Sequence, residues 1–216
     1  MDFAGAYSAD HLKFLLDGLY VTLIVAFFSI ILSFVIGCVV GIIRYARVPF
    51  LSPIMFVLVE LIRNLPLLLI IFFIRFALPE VGIRMGLMAA AIAALTIFEA
   101  AMIAEIVRGG LTSIDKGQIE AARSSGLGNF QTLWHIVLPQ GLRRMVPPLV
   151  SQFISLLKDT SLAVVISLPE LMHHAGIVIG HGYSYAIPTL LLVALIYFTV
   201  NFLLSLLSRR LESREN

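Results

Sequence analysis

The chain has 216 residues, of which 60% are hydrophobic and only 13% charged, against roughly 45–50% and about 25% in soluble domains. With a mean hydropathy of +1.01, a water-facing surface cannot be built from this composition, and lipid is the expected solvent for most of the chain. The net charge of +2, from 15 Lys+Arg and 13 Asp+Glu, gives no basis for nucleic acid as a partner, and one cysteine, Cys38, supports neither a disulfide framework nor a thiolate metal site.

Residues 1–16 carry Asp2, Asp10 and His11 and no Lys/Arg-rich leader, so they read as a short pre-membrane segment rather than a cleaved signal. From Gly18 to Ile43 there is no charge. At about 1.5 Å per residue this run exceeds the roughly 30 Å hydrocarbon core and predicts span one. After a polar link from Arg44 to Pro49, span two is expected over 53–76, interrupted by Glu60, Arg63, Asn64 and Pro66. Pro66 cannot donate to the carbonyl of Ile62, so a kink or a free acceptor is expected there. Span three, 86–107, contains Glu99 and Glu105. Span four is expected over 147–166, with Pro147 and Pro148 in its first turn, where a missing N–H costs nothing. Span five covers 186–207 and ends at Arg209, Arg210 and Arg214. The expectation is an all-α integral membrane bundle, residues 1–216 forming one transmembrane domain of about five helices.

Five spans put the termini on opposite sides. One side collects Arg44, Arg47, Arg108, Lys116, Arg123, Arg143, Arg144, Arg209, Arg210 and Arg214; the other has Lys13 and Arg84, with Arg75 at a span end. Positive charge stays in the cytoplasm. The N-terminus is therefore expected outside, and the 108–145 loop and C-terminal tail inside.

That loop is too long to lack structure and a task. Asp115 with Gln118 has capping-box spacing, and Gly126 sits where a left-handed glycine ends a helix, predicting a short helix over 116–125. Phe130, Leu133, Trp134 and Val137 form one apolar stripe, with Gln131, Thr132 and His135 facing elsewhere and Pro139 ending a second short helix. Such a pair is either an interfacial helix with Trp134 at the headgroups or a docking surface for a cytoplasmic partner.

The string Glu120-Ala121-Ala122, three residues, Gly126, nine residues, Ile136, one residue, Leu138-Pro139 resembles the EAA loop of the membrane subunits of ATP-binding-cassette (ABC) importers. Further segments resemble the polar amino-acid branch of that family: Leu16 to Thr22, Val59 to Leu68, Gly117-Gln118, Pro139-Gln140, and Lys158 to Leu162. The resemblance covers about residues 12–210. It implies a type I importer permease in a bacterial cytoplasmic membrane. Its implied partners are a second permease subunit, identical or different, a cytoplasmic ABC ATPase and an outside amino-acid-binding protein. Asp115, Gly117, Gln118, Glu120, Ala121, Ala122, Gly126, Leu138 and Pro139 are the implied coupling residues. Glu120 would be an exposed contact, Ala121 and Ala122 would permit close approach, and Gly126 would make the lever's turn.

Ionisable groups inside spans are costly and mark a pathway or a pair. Glu60 and Arg63 are three residues apart, so they can form a structural ion pair or, with Asn64, a gate. Gln152, Ser155 and Asp159 share one helix face, and if span four enters near Pro147, Asp159 lies about 18 Å deep. Lys158, Thr160 and Ser161 flank it. This group lines a substrate path or serves as interhelical polar glue. Glu99 could meet a substrate amino group or a neighbouring base, and Glu105 can pair with Arg108. Four acids and two bases in the spans lean toward a substrate bearing an ammonium group. His173, His174, His181 and Glu170 read as solvated outer-loop residues. No nucleophile with its base, no catalytic carboxylate pair and no phosphate-binding lysine loop is present, so no enzyme activity and no cofactor are expected in this chain. ATP and Mg²⁺ would be bound by the partner ATPase. The competing expectation is an ATP-independent channel or secondary transporter with a regulatory loop.

Overall fold

A backbone that crosses lipid must satisfy its own N–H and C=O groups, which a helix does without a partner strand. In the computed structural model, which describes residues 1–212 and side chains through residue 206, the regular elements are all helical. A short α1 (Phe3–Ala6) is capped by the Asp2 carboxylate, which accepts from the Gly5 N–H at 2.8 Å. The first long helix, α2 (Ala9–Tyr45), is capped by Ser8. It starts well before the apolar run, so most of the expected pre-membrane segment is helix.

The second apolar stretch is two helices, α3 (Leu51–Arg63) and α4 (Leu67–Phe72), the latter continued by a π turn and a 3-10 turn to Val81. The two arms are bent by 103° at Asn64–Pro66. Proline disfavours helical backbone in the residue before it, here Leu65, and has no N–H to continue the ladder. The expected kink is thus a break. The third stretch, α5 (Leu87–Thr112), is followed by α6 (Lys116–Ser124). A continuous run then comprises α7 (Asn129–Thr132), a π turn at Leu133–Val137, α8 (Leu138–Asp159) and a 3-10 segment to Ile166. Finally come α9 (Leu171–Gly180) and α10 (Ala186–Glu212). Four stretches are long and apolar enough to cross a membrane, and the bent pair makes a fifth if it is one span.

Two proline expectations fail. Pro139 does not end a helix, because the π turn immediately before it shifts the hydrogen-bond ladder by one residue and accommodates the missing donor. Pro147 and Pro148 lie inside α8 rather than at its start. The carbonyls they leave unpaired belong to the exposed Arg143 and Arg144, where solvent can reach them. The 108–145 segment is accordingly less of a loop than expected: α5 continues to Thr112 and the span-four helix begins at Asn129. Arg214 lies outside the described residues, as do the side chains of Arg209 and Arg210.

The central element is α5, whose Ala90, Ala91, Ala94, Ala101 and Ala104 are buried. Small residues there let neighbouring backbones approach closely, the usual way for helices to associate where lipid provides no hydrophobic drive. Span one answers with glycine. A Cβ on Gly37 would fall 2.6 Å from Ile103, and one on Gly41 would fall 2.7 Å from Val107. An apolar core of α2, α4, α5 and the 166 region forms one layer, and a second cluster of Ile103, Val107, Leu111, Val137, Met145 and Leu149 joins α5 to the span-four helix. Large apolar side chains such as Phe27, Ile31, Phe198 and Phe202 point outward, as a lipid-facing surface requires.

Candidate functional site

The segment between α5 and α8 is built to stand out as a stiff unit. Asp115 caps α6 by accepting from the Gly117 N–H at 2.7 Å. Gln118 does not reach back to complete a capping box. Its Oε1 instead accepts from Gln140 Nε2 on α8 at 3.3 Å, which ties α6 to the base of span four. A side chain reaching back in that way occurs instead at the start of α7, where Gln131 Oε1 accepts from the Gly128 N–H at 3.0 Å. Gly126 has φ +89°, the left-handed value expected for a glycine terminator, and the Leu127 N–H bonds to the Ala122 carbonyl. Arg144 donates to the carbonyl and hydroxyl of Ser113, clamping the entry of the segment.

On α6, Gly117, Gln118, Glu120 and Ala121 are exposed, whereas Ala122 turns inward. Leu138 is half-buried against the α5–α8 cluster and Pro139 is exposed. The stripe expected after α6 is split. Val137 is buried and Leu133 half-buried, but Phe130 and Trp134 are exposed and stacked at 6.3 Å, while Thr132 is buried. The π turn alters the angular spacing around 133–137, so a stripe drawn at the ordinary helical period does not hold its face.

Inside the bundle, Glu99 is 1% exposed. Gln152 on α8 donates Nε2 to its Oε2 at 3.2 Å. The other oxygen, Glu99 Oε1, is buried without a partner, and so is Thr96 Oγ1 one turn earlier on the same helix. Ser155 and Asp159 are half-buried and Lys158 is exposed. Thr160 and Ser161 donate to the carbonyls of Leu157 and Lys158, each at 2.7 Å, so both hydroxyls are spent on their own helix. The structure therefore brings Glu99 and Gln152 together and adds Thr96, with Asp159 two turns beyond Gln152 on α8. The signal for Thr96 was its position three residues before Glu99 in an otherwise apolar run.

Glu60, Arg63 and Asn64 lie elsewhere. Arg63 bonds Glu60 at 3.1 Å and approaches Glu105 at 3.9 Å, and Asn64 donates to the Glu60 carbonyl at 2.7 Å. Glu105 also accepts from Arg108 and from Arg44, the latter at 2.8 Å. Arg44 is buried, with its guanidinium 5.5 Å from the Phe56 ring. One carboxylate thus joins spans one, two and three.

At the other end, Glu170 is fully buried and caps α9, accepting from the N–H groups of Met172 and His173 at 2.9 and 2.8 Å and from the Tyr197 hydroxyl at 3.4 Å. It is not an exposed loop charge. His174 is also buried, bonded to the Phe14 carbonyl at 2.6 Å and stacked on Phe14. Packing of α9 into the bundle removes both from solvent, which no local pattern announces.

Residues 33–216 match the model of a family described as binding-protein-dependent transport system inner membrane component. A probable glutamine ABC transporter permease protein of Bacillus subtilis (strain 168) is 68% identical over 217 residues, with all of both chains covered. A glutamine transport system permease protein of Escherichia coli (strain K12) is 36% identical, covering 93% of this chain and 92% of its own. Among solved structures, an amino acid ABC transporter with histidines superposes with a TM-score of 0.92 at 28% identity, covering 99% of each chain. A methionine ABC transporter in an inward-facing conformation gives a TM-score of 0.81 at 26% identity, covering 97% of this chain and 99% of that one.

Proposed function

This chain belongs to the family of binding-protein-dependent transport system inner membrane components, and from its likeness to glutamine permeases we propose that it passes glutamine across the membrane as the permease subunit of an ABC importer. It is a multi-pass inner-membrane protein and a transport subunit rather than an enzyme. ATP hydrolysis belongs to a partner chain. The systems of such permeases comprise an ATPase, a partner permease and a binding protein. In this reading the N-terminus is outside and the tail cytoplasmic, following the Lys/Arg bias.

Residues 116–138 act as the lever. The exposed face of α6, centred on Glu120 and Ala121, seats in a groove of the ATPase. The Gln118–Gln140 and Arg144–Ser113 contacts pass its displacement to the base of span four. Closure of the ATPase pair then tilts spans against one another and moves the opening from one side to the other.

The observation that carries the substrate reading is the unpartnered Glu99 Oε1, with Thr96 Oγ1 beside it and Gln152 holding the second oxygen. A carboxylate held out of water with one vacant acceptor loses free energy that an incoming ammonium group restores. Thr96 and Gln152 suit the amide and carboxylate of the same substrate. Asp159 sets the field at the site, and the Glu60–Arg63 pair with Asn64 guards the break at Pro66. Glu99→Gln in proteoliposomes tests this. It should weaken glutamine uptake about 10–100-fold per assembled complex, the value of one charge-assisted hydrogen bond. Uptake equal to wild type would make Glu99 a packing residue.

A further inference from the structure

Beneath the lever, where span one ends, a cavity of about 570 Å³ opens between Tyr45, Thr112 and helices α6 and α7. Four guanidinium groups line it: Arg44, Arg47, Arg108 and Arg123. Arg44 and Arg108 share the single carboxylate of Glu105 with Arg63, which also has Glu60. Arg47 and Arg123 have no carboxylate within salt-bridge distance among the described residues, so the neighbourhood holds more guanidinium groups than carboxylates. No acidic side chain is among those lining the cavity. A second observation is independent of charge. Thr132, also in the lining, is 2% exposed, and its hydroxyl is buried without a hydrogen-bond partner.

We propose that this cavity is a binding site for a phosphate group, taken up between Arg47 and Arg123, with the Thr132 side chain turning to donate its hydroxyl to it. Planar guanidinium forks match phosphate oxygens, and a hydroxyl with no protein acceptor supplies a neutral donor alongside them. Arg44 is pinned by Glu105 and by the Phe56 ring, so it contributes fixed positive field rather than a movable contact. Two sources share this chemistry: an anionic lipid headgroup and free phosphate. The cavity lies at the membrane edge of span one, and the exposed Phe130 of its lining stacks on the exposed Trp134, an aromatic pair suited to the headgroup level. A bound phosphate would bridge span one to the lever without touching the Glu99 site, so the inference stands apart from the identity of the substrate.

The test uses the assembled transporter in nanodiscs of phosphatidylcholine, alone or mixed with phosphatidylglycerol. Retained lipid is read by native mass spectrometry after release into detergent, and the melting temperature is followed against inorganic phosphate. For a lipid source, the wild type should retain phosphatidylglycerol and R123Q should lose it by about tenfold, with Thr132→Val also reduced and Arg123→Lys partly restored. For a free-phosphate source, phosphate should raise the melting temperature of the wild type but not of R123Q, with no retained phosphatidylglycerol. Arg143→Gln, on the exposed face of α8 and outside the cavity, is the charge control. A loss in R143Q equal to that in R123Q, or no difference between wild type and R123Q in either arm, would overturn the proposal.

Discussion

At the scale of single residues, the charges divide into one that lacks a full set of partners and one that has several. Glu99 keeps a vacant oxygen, whereas Glu105 is shared by Arg44, Arg63 and Arg108. Removing Glu105 leaves Arg44 buried and unpaired, so Glu105→Gln should destabilise the bundle by about 2 kcal/mol, less than the roughly 3–5 of a fully buried pair because part of Glu105 meets solvent. Thermal unfolding of the purified complex would read this as a lowered midpoint. Adding Arg44→Gln should recover part of the loss, and full additivity of the two changes would count against the pairing. Glu99, Gln152 and Asp159 were legible in sequence because polar residues in an apolar run advertise themselves. Arg44 was not: it stands at a span end, where a basic residue ordinarily marks the cytoplasmic boundary and need not be buried. Glu170 and His174 were missed for a related reason, since a segment between spans gives no hint that α9 packs inward.

At the scale of elements, glycines set both the span contacts and the lever. With Gly37 seated on Ile103 and the Ala100 carbonyl, Gly37→Leu has no room. It should cost about 1–3 kcal/mol of overpacking or more, seen as a lower yield of folded complex, whereas Gly86→Ala, whose added Cβ meets nothing within 4 Å, should be tolerated. Gly126 has open space around it but φ +89°. Gly126→Val therefore tests conformation rather than crowding, at a cost of about 1–2 kcal/mol. It should uncouple glutamine uptake from ATP hydrolysis in vesicles while leaving insertion intact; unchanged substrate-stimulated hydrolysis would contradict this. Helix α6, its Asp115 cap and its glycine end were readable from local chemistry. The continuation through Pro139 was not, because a π turn is a response of the ladder to a residue downstream and leaves no period of its own. The split of the Phe130–Val137 stripe is the same effect seen from the side chains.

For the whole molecule, composition already points to a helical membrane bundle, and the charge bias predicts that the segment between spans three and four faces the cytoplasm. Pro66 announces a kink but not its 103° extent, and composition does not supply the central place of α5, which depends on which small residues meet across helices. In the proposed mechanism the work of a partner ATPase enters through the exposed face of α6. The most direct measurement is uptake and ATP hydrolysis in the same vesicles, made from a complex purified through this chain and its co-expressed neighbours, with Glu120→Arg alongside the wild type. The expected result is an ATPase present in equal number to the permease chains, glutamine uptake that requires ATP on the α6 side, and loss of both assembly and uptake in the Glu120 variant. Uptake by this chain alone, without ATP or an ATPase, would contradict the importer reading at its centre.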